Sequence, residues 1–127
     1  MAAAAQIAVE ILSGPEIIAG STRLSAGSTE KIALNILSST VMIRLNKTFG
    51  PFMVDMRASN AKLRRRAVRM VTRLTGVNEQ NASLELEACD MHVKLAVLAI
   101  RLGLAPDLAR ARLKGAGGSL RRALSLN

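Results

Sequence analysis

Residues 29–47, TEKIALNILSSTVMIRLNK, decide how the rest of the chain is read. The spacing predicts one helix. Ile32, Ala33, Leu34, Ile36, Leu37, Val41, Met42, Ile43 and Leu45 make it apolar on nearly every face, and its charges gather at the two ends. A helix of that kind belongs between layers or in a subunit interface, because no single face can be given to water. The Gly50-Pro51 pair is expected to stop it.

The stretch before this helix is of a different kind. Residues 14–31, GPEIIAGSTRLSAGSTEK, combine three glycines with five hydroxyl residues, two glutamates, one arginine and one lysine. Gly20, Gly27, Ser21, Thr22, Ser28 and Thr29 precede a helix start, where backbone N–H groups attract anions. Arg23 has the fork geometry that grips a phosphate or a carboxylate with two hydrogen bonds. Taken alone, the residues fit two readings: a substrate-facing loop, or a tight turn whose hydroxyls cap the helix and whose Arg23 pairs with Glu16. Glu16 has no carboxylate or histidine near it in sequence to share general acid–base work, so it is read as a structural or substrate-orienting group. Upstream, QIAVEIL (6–12) alternates Ile7, Val9 and Ile11 and is expected to form a single strand.

Downstream, Ser59 is expected to cap a basic amphipathic helix. Leu63, Ala67, Met70, Val71 and Leu74 form its apolar stripe, Lys62 and the arginines at 64, 65, 66, 69 and 73 fill the rest, and Gly76 suits its end. Then the chain repeats itself weakly: EACDMHVKLAV (87–97) aligns with KGAGGSLRRAL (114–124) at an offset of 27 residues. Asn78 and Ser119 are expected caps, and Gly103 and Pro106 punctuate between the units. Four short helices over 77–127 should result, stacked on one another and on the preceding helix. The organisation expected is 1–57, 58–76 and 77–127. The fold class is mainly α, with at most one or two short strands.

Composition narrows the function. The chain has 127 residues, two phenylalanines and no tyrosine or tryptophan. Up to residue 56 four basic and four acidic side chains cancel; the remainder holds fourteen basic and five acidic ones, which is the whole net charge of +9. A basic half invites nucleic acid, but no aromatic side chains interleave for base stacking, so nucleic acid is not the expected partner. A single cysteine excludes an internal disulfide. Cys89 and His92, three apart with Asp90 between, fall short of a metal set, and no metal or cofactor is expected. No apolar run reaches the ~20 residues of a membrane span, and the start lacks the basic region of a signal peptide. A cytoplasmic protein is expected.

The motif at 14–31 resembles the signature shared by the N-acetylmuramic acid 6-phosphate etherases and the glucokinase regulatory proteins: G-P-E, then G-S-T-R-L/M-K-A-G, then a lysine. The stretch LNILSSTVMIRLNKTFGPFMVDMRASNAKLRRRAVRMVTRLTGV (34–77) is similar to the etherase continuation, and VKLAVLAIRLGL (93–104) and GGSLRRAL (117–124) to its helical C-terminus. The resemblance covers about residues 7–126 and favours the etherase branch. It implies the C-terminal remnant of an α/β sugar isomerase (SIS) domain followed by a helical appendage, usually as a homodimer. It implies an enzyme that opens the lactyl ether of N-acetylmuramic acid 6-phosphate to N-acetylglucosamine 6-phosphate and D-lactate, with two glutamates and no metal. Those glutamates precede the stretch matched here, so inactivity of this chain alone is expected and no catalytic residue is assigned. Glu16, Ser21, Thr22 and Arg23 are the expected substrate-binding residues. The family's lysine is replaced by Ser25, which removes a positive charge from the loop. Two other readings stay open: a sugar-phosphate-binding regulatory module, and a basic helical interaction module.

Overall fold

The structure, a computed structural model, describes residues 4–126. The described residues form six helices and one two-stranded antiparallel hairpin, so the fold is mainly α. The helices are α1 (Ser25–Arg44), α2 (Ala61–Thr75), α3 (Glu79–Ala88), α4 (Val93–Leu102), α5 (Pro106–Gly115) and α6 (Leu120–Ser125). Strands β1 (Thr48–Phe49) and β2 (Phe52–Met53) lie between α1 and α2. The chain divides into two compact units, Met1–Val41 and Met42–Asn127.

In the first unit, residues 6–12 are not a strand. The alternation of Ile7, Val9 and Ile11 is present, but no neighbouring strand offers a hydrogen-bonded ladder, and a strand without one has no place for its backbone groups except water. Helix α1 begins four residues earlier than its spacing suggests, at Ser25. None of its residues is buried. Ile32, Leu34, Ile36, Leu37 and Ile43 each stay 57–64% exposed.

In the second unit the helices are placed by local signals. Helix α1 ends not at Gly50-Pro51 but at Arg44, and the φ of 57° at Asn46 lets Lys47 N–H reach back to Met42 O at 3.0 Å. This is the six-to-one closure of a helix end, with asparagine as the left-handed residue. Gly50 and Pro51 instead make the two-residue turn between β1 and β2. There a positive φ (54°) at the first turn residue matches the strand twist. Helix α2 is capped by Asn60 rather than Ser59: the Asn60 side-chain oxygen accepts from Leu63 N–H at 2.9 Å. Asn78 and Ser119 cap α3 and α6 in the same way, and Pro106 opens α5. Gly76 and Gly103 take left-handed conformations after α2 and α4.

Helix α4 is the hub. Seven of its ten residues, Val93–Ala99, are buried, and it packs against α2, α3, α5 and α6. Leu86, Leu98, Leu120, Val54, Val71, Val93 and Val97 are the large side chains most fully withdrawn from water. Burying such a side chain contributes ~1.5–3 kcal/mol. Ala67, Ala82, Ala96, Ala109 and Ala123 lie between them fully buried and let the short helices approach closely. Arg101 ties this core to its neighbours: its guanidinium donates two hydrogen bonds to Leu74 O, at 3.0 and 2.7 Å, and lies 5.9 Å from the centre of the Phe49 ring. A cation there also faces the negative end of α2.

The repeat of 27 residues is structural. Met91 N–H closes on Leu86 O at 2.7 Å, and Gly118 N–H closes on Leu113 O at 2.9 Å. His92 N–H and Ser119 N–H reach Cys89 O and Ala116 O at 3.0 and 3.3 Å. Two consecutive left-handed residues make each turn: Asp90 and Met91 (φ 52° and 61°) in the first, Gly117 and Gly118 (φ 63° and 72°) in the second. An aspartate tolerates that conformation through local hydrogen bonding; a methionine does so only under strain.

Gly115, the last residue of α5, and Gly118, within the second turn, separate backbone strain from packing, since a Cβ at either meets no atom within 4 Å. Gly118→Ala, at φ 72°, is expected to destabilise the chain by ~1–2 kcal/mol. Gly115→Ala, inside α5, is expected to stabilise it by ~0.5–1 kcal/mol. Urea unfolding of the two variants checks both signs.

Candidate functional site

The glycine- and hydroxyl-rich loop forms a series of tight turns before α1. Ser21 N–H bonds Ile18 O at 3.0 Å, Leu24 N–H bonds Ser21 O at 3.2 Å, and Gly27 N–H bonds Thr22 O at 2.8 Å. Gly20, with φ 79°, allows the first reversal. A Cβ at Gly27 would come within 3.3 Å of Thr22 O, so the close approach there also favours glycine.

Glu16 closes the loop. Its carboxylate accepts from Ser25 N–H at 2.7 Å and from Ala26 N–H at 3.0 Å. These are the first two amides of α1, which no residue inside the helix can satisfy. A negative group at this end also suits the helix dipole, and α1 has no acidic residue in its own first turn. The hydrogen bonds from Ala26 and Ser25 hold the carboxyl below the ordinary carboxylate range. The anion drawn to the helix start is thus the chain's own glutamate, and Glu16 does not pair with Arg23. This cap explains why α1 starts at Ser25: it reaches across nine residues, beyond any local reading.

The four expected residues therefore part into two roles within one loop. Glu16 faces the helix start. Thr22 and Arg23 are exposed and Ser21 is half-buried, and among the described residues Arg23 has no ion-pair partner. Ser25 stands at the first position of α1, half-buried, with its amide held by Glu16. Beside the loop, Val9 and Ile11 line a trough of about 420 Å³ with Ala26, Ala33, Leu34 and Leu37 of α1.

The second unit holds a polar cluster that the sequence reading did not single out. Lys94 Nζ lies 2.8 Å from Asp55 Oδ1 and donates to Gly118 O at 3.1 Å; Lys47 Nζ lies 3.7 Å from Asp55 Oδ2. The available signal was one lysine inside VKLAVLAI, where every neighbour is apolar. Cys89 is fully buried and its thiol donates to the Glu85 carboxylate at 3.6 Å. Burial, with the Glu85 charge behind it, pushes that thiol up to about 12, which leaves it protonated and inert. Among the described residues no three His, Cys, Asp or Glu side chains gather as a metal set, and no helix is long and apolar enough to cross a membrane.

By sequence, this loop, hairpin and five-helix unit correspond to the C-terminal portion of a family of sugar-phosphate etherases. The chain is a homologue of that portion of the N-acetylmuramic acid 6-phosphate etherases. It is 52% identical to the one from Rubrobacter xylanophilus over 91% of this chain and 38% of that protein. It is 50% identical to the one from Deinococcus radiodurans over 96% of this chain and 40% of that protein. It is 44% identical to the one from Mycolicibacterium smegmatis over 94% of this chain and 40% of that protein. The chain thus spans about two fifths of the length of these relatives. No family model matches it.

The Glu16 cap has a definite acid response. Its pKa is lowered on folding from the ordinary 4.5. Its contribution is therefore present above that value and is lost as pH falls through the lower folded one. Hydrogen exchange at Ser25 and Ala26 is expected to lose protection in that acid window while α4 keeps its own. Glu16→Gln is expected to remove the acid step.

Proposed function

We propose that this chain is the C-terminal segment of an N-acetylmuramic acid 6-phosphate etherase-like protein, part of an SIS-domain enzyme of cytoplasmic cell-wall sugar recycling. The observation that carries the reading is the 52% identity spread over 91% of the chain, signature loop included. In this reading Arg23 takes the sugar phosphate, Ser21 and Thr22 add hydroxyl contacts, and Glu16 holds the loop by capping α1. The reaction is elimination of D-lactate from the ether followed by addition of water, which leaves N-acetylglucosamine 6-phosphate. The glutamates that move the protons belong to the part of the family that precedes residue 6, so the chain alone is inactive.

The uncovered apolar surface of α1 supports a site completed from outside this segment. Side chains such as Ile36, 64% exposed, lose ~25 cal/mol per Å² of stabilisation while they face water. The rest of an SIS domain and a second copy of the protein, in a homodimer, are the covers this reading supplies. Ser25, where the family carries lysine, leaves Arg23 as the loop's only cation near the anionic sugar and so tunes substrate affinity downward.

Lactate release from N-acetylmuramic acid 6-phosphate tests this directly. The purified chain is expected to release none. Mixed with the complementary N-terminal segment of the Rubrobacter xylanophilus etherase, it is expected to become active. In that mixture Arg23→Ala is expected to lower kcat/KM by about 100-fold, the scale of a lost charge-assisted phosphate contact. Lactate release by the chain alone overturns the claimed inactivity. An active mixture indifferent to Arg23→Ala overturns the assignment of the loop.

A further inference from the structure

The second unit contains a cleft of about 490 Å³ that the proposed etherase reading does not use. Its walls come from four places: the link after β2, the start of α4, one face of α5 and Gly118 in the last turn. At its floor is Lys94, whose side chain is only 10% exposed. An ammonium carries three N–H donors. One is donated to Gly118 O at 3.1 Å, and the ammonium is ion-paired with Asp55 Oδ1 at 2.8 Å. Lys94 lines the cleft, so a ligand oxygen there meets a cation already fixed in place by Asp55 and Gly118.

The charge around this floor is one-sided. Arg57, Lys94, Arg110 and Lys114 line the cleft against a single carboxylate, Asp55. That carboxylate is already shared between Lys94 and Lys47. Arg110 pairs with Asp90 at 2.8 Å, while Arg57 and Lys114 have no ion-pair partner among the described residues. The start of α4 points the same way: His92 makes no side-chain cap and the first turn holds no acid. The dipole of α4 adds to the positive field.

We propose that this cleft binds a phosphate group, with Lys94 as the buried anchor and Arg57 and Lys114 as the mobile cations that close over it. It is a second anion site, built wholly from residues 54–118 and independent of Arg23. Long exposed side chains supply charge and reach, and the buried lysine supplies position, because its side chain is already held by Asp55 and Gly118.

The test is an NMR titration of the isotope-labelled full chain with inorganic phosphate, at constant ionic strength kept with chloride. Saturable shifts are expected at the amides of Val93, Lys94, Leu95 and Gly118. Arg57→Gln combined with Lys114→Gln changes two exposed residues. It should leave the α4 spectrum folded and weaken binding by about tenfold or more, as loss of two charge-assisted contacts requires. Arg23→Gln should leave the titration unchanged. Glucose 6-phosphate should saturate the same amides, because the phosphate group itself is recognised. The proposal is overturned if phosphate gives no saturable shift at these amides, if the double variant binds as tightly as the parent, if Arg23→Gln abolishes the shifts, or if the ester binds and inorganic phosphate does not. Failure here leaves the lactate assay intact, since that assay reads the other loop.

Discussion

The burial of α4 is the constraint on which the second unit depends. Its short neighbours, α3, α5 and α6, have six to ten residues each, too few to persist in water by themselves. They hold because each lays its apolar side chains on one common helix, with alanines at the closest approaches. The repeated turns and the caps at Asn78, Pro106 and Ser119 then fix where each short helix starts and stops. The same packing that stabilises the unit brings Arg57, Lys94 and Lys114 to one cleft.

Helix α1 is the counterpart. It has the most apolar composition of the long helices, yet none of its side chains is buried. What fixes it lies at its two ends: Glu16 at its start and Asn46 beyond its end. A helix with two well-made ends and no buried residue is a part shaped for a surface that the first unit does not provide. That agrees with a chain spanning two fifths of the length of its relatives, and it is the physical ground for the proposal that the loop's chemistry needs residues from beyond this segment.

Most of the helical unit could be read in the sequence, because caps are short-range. Asn78, Ser119, Gly76, Gly103 and Pro106 act within four residues of themselves, and each stands where expected. The misreadings have a common cause in interactions that span more chain. The start of α1 depends on Glu16, nine residues away, and residues 6–12 have the alternation of a strand but not the partner that makes one. The hairpin at 48–53 is too short to show a period, so its Gly50-Pro51 turn looked like a helix stop. In the candidate site the residue types were legible and their division of labour was not. Arg23 and Glu16 suggest an ion pair by charge alone, but two helix amides offer the carboxylate a better-placed set of donors. Lys94 carries no motif, and only its burial beside Asp55 marks it.

Native-state hydrogen exchange of the full chain, followed residue by residue at several protein concentrations, tests the central claim most directly. The account predicts that amides of Val93–Leu102 exchange only through opening of the whole second unit. Amides of residues 29–41 should exchange far faster at low concentration and gain protection only as copies associate or when the N-terminal segment of a relative is added. Protection of residues 29–41 that equals that of α4 and does not change with concentration would contradict it, because α1 would then be stable without a cover.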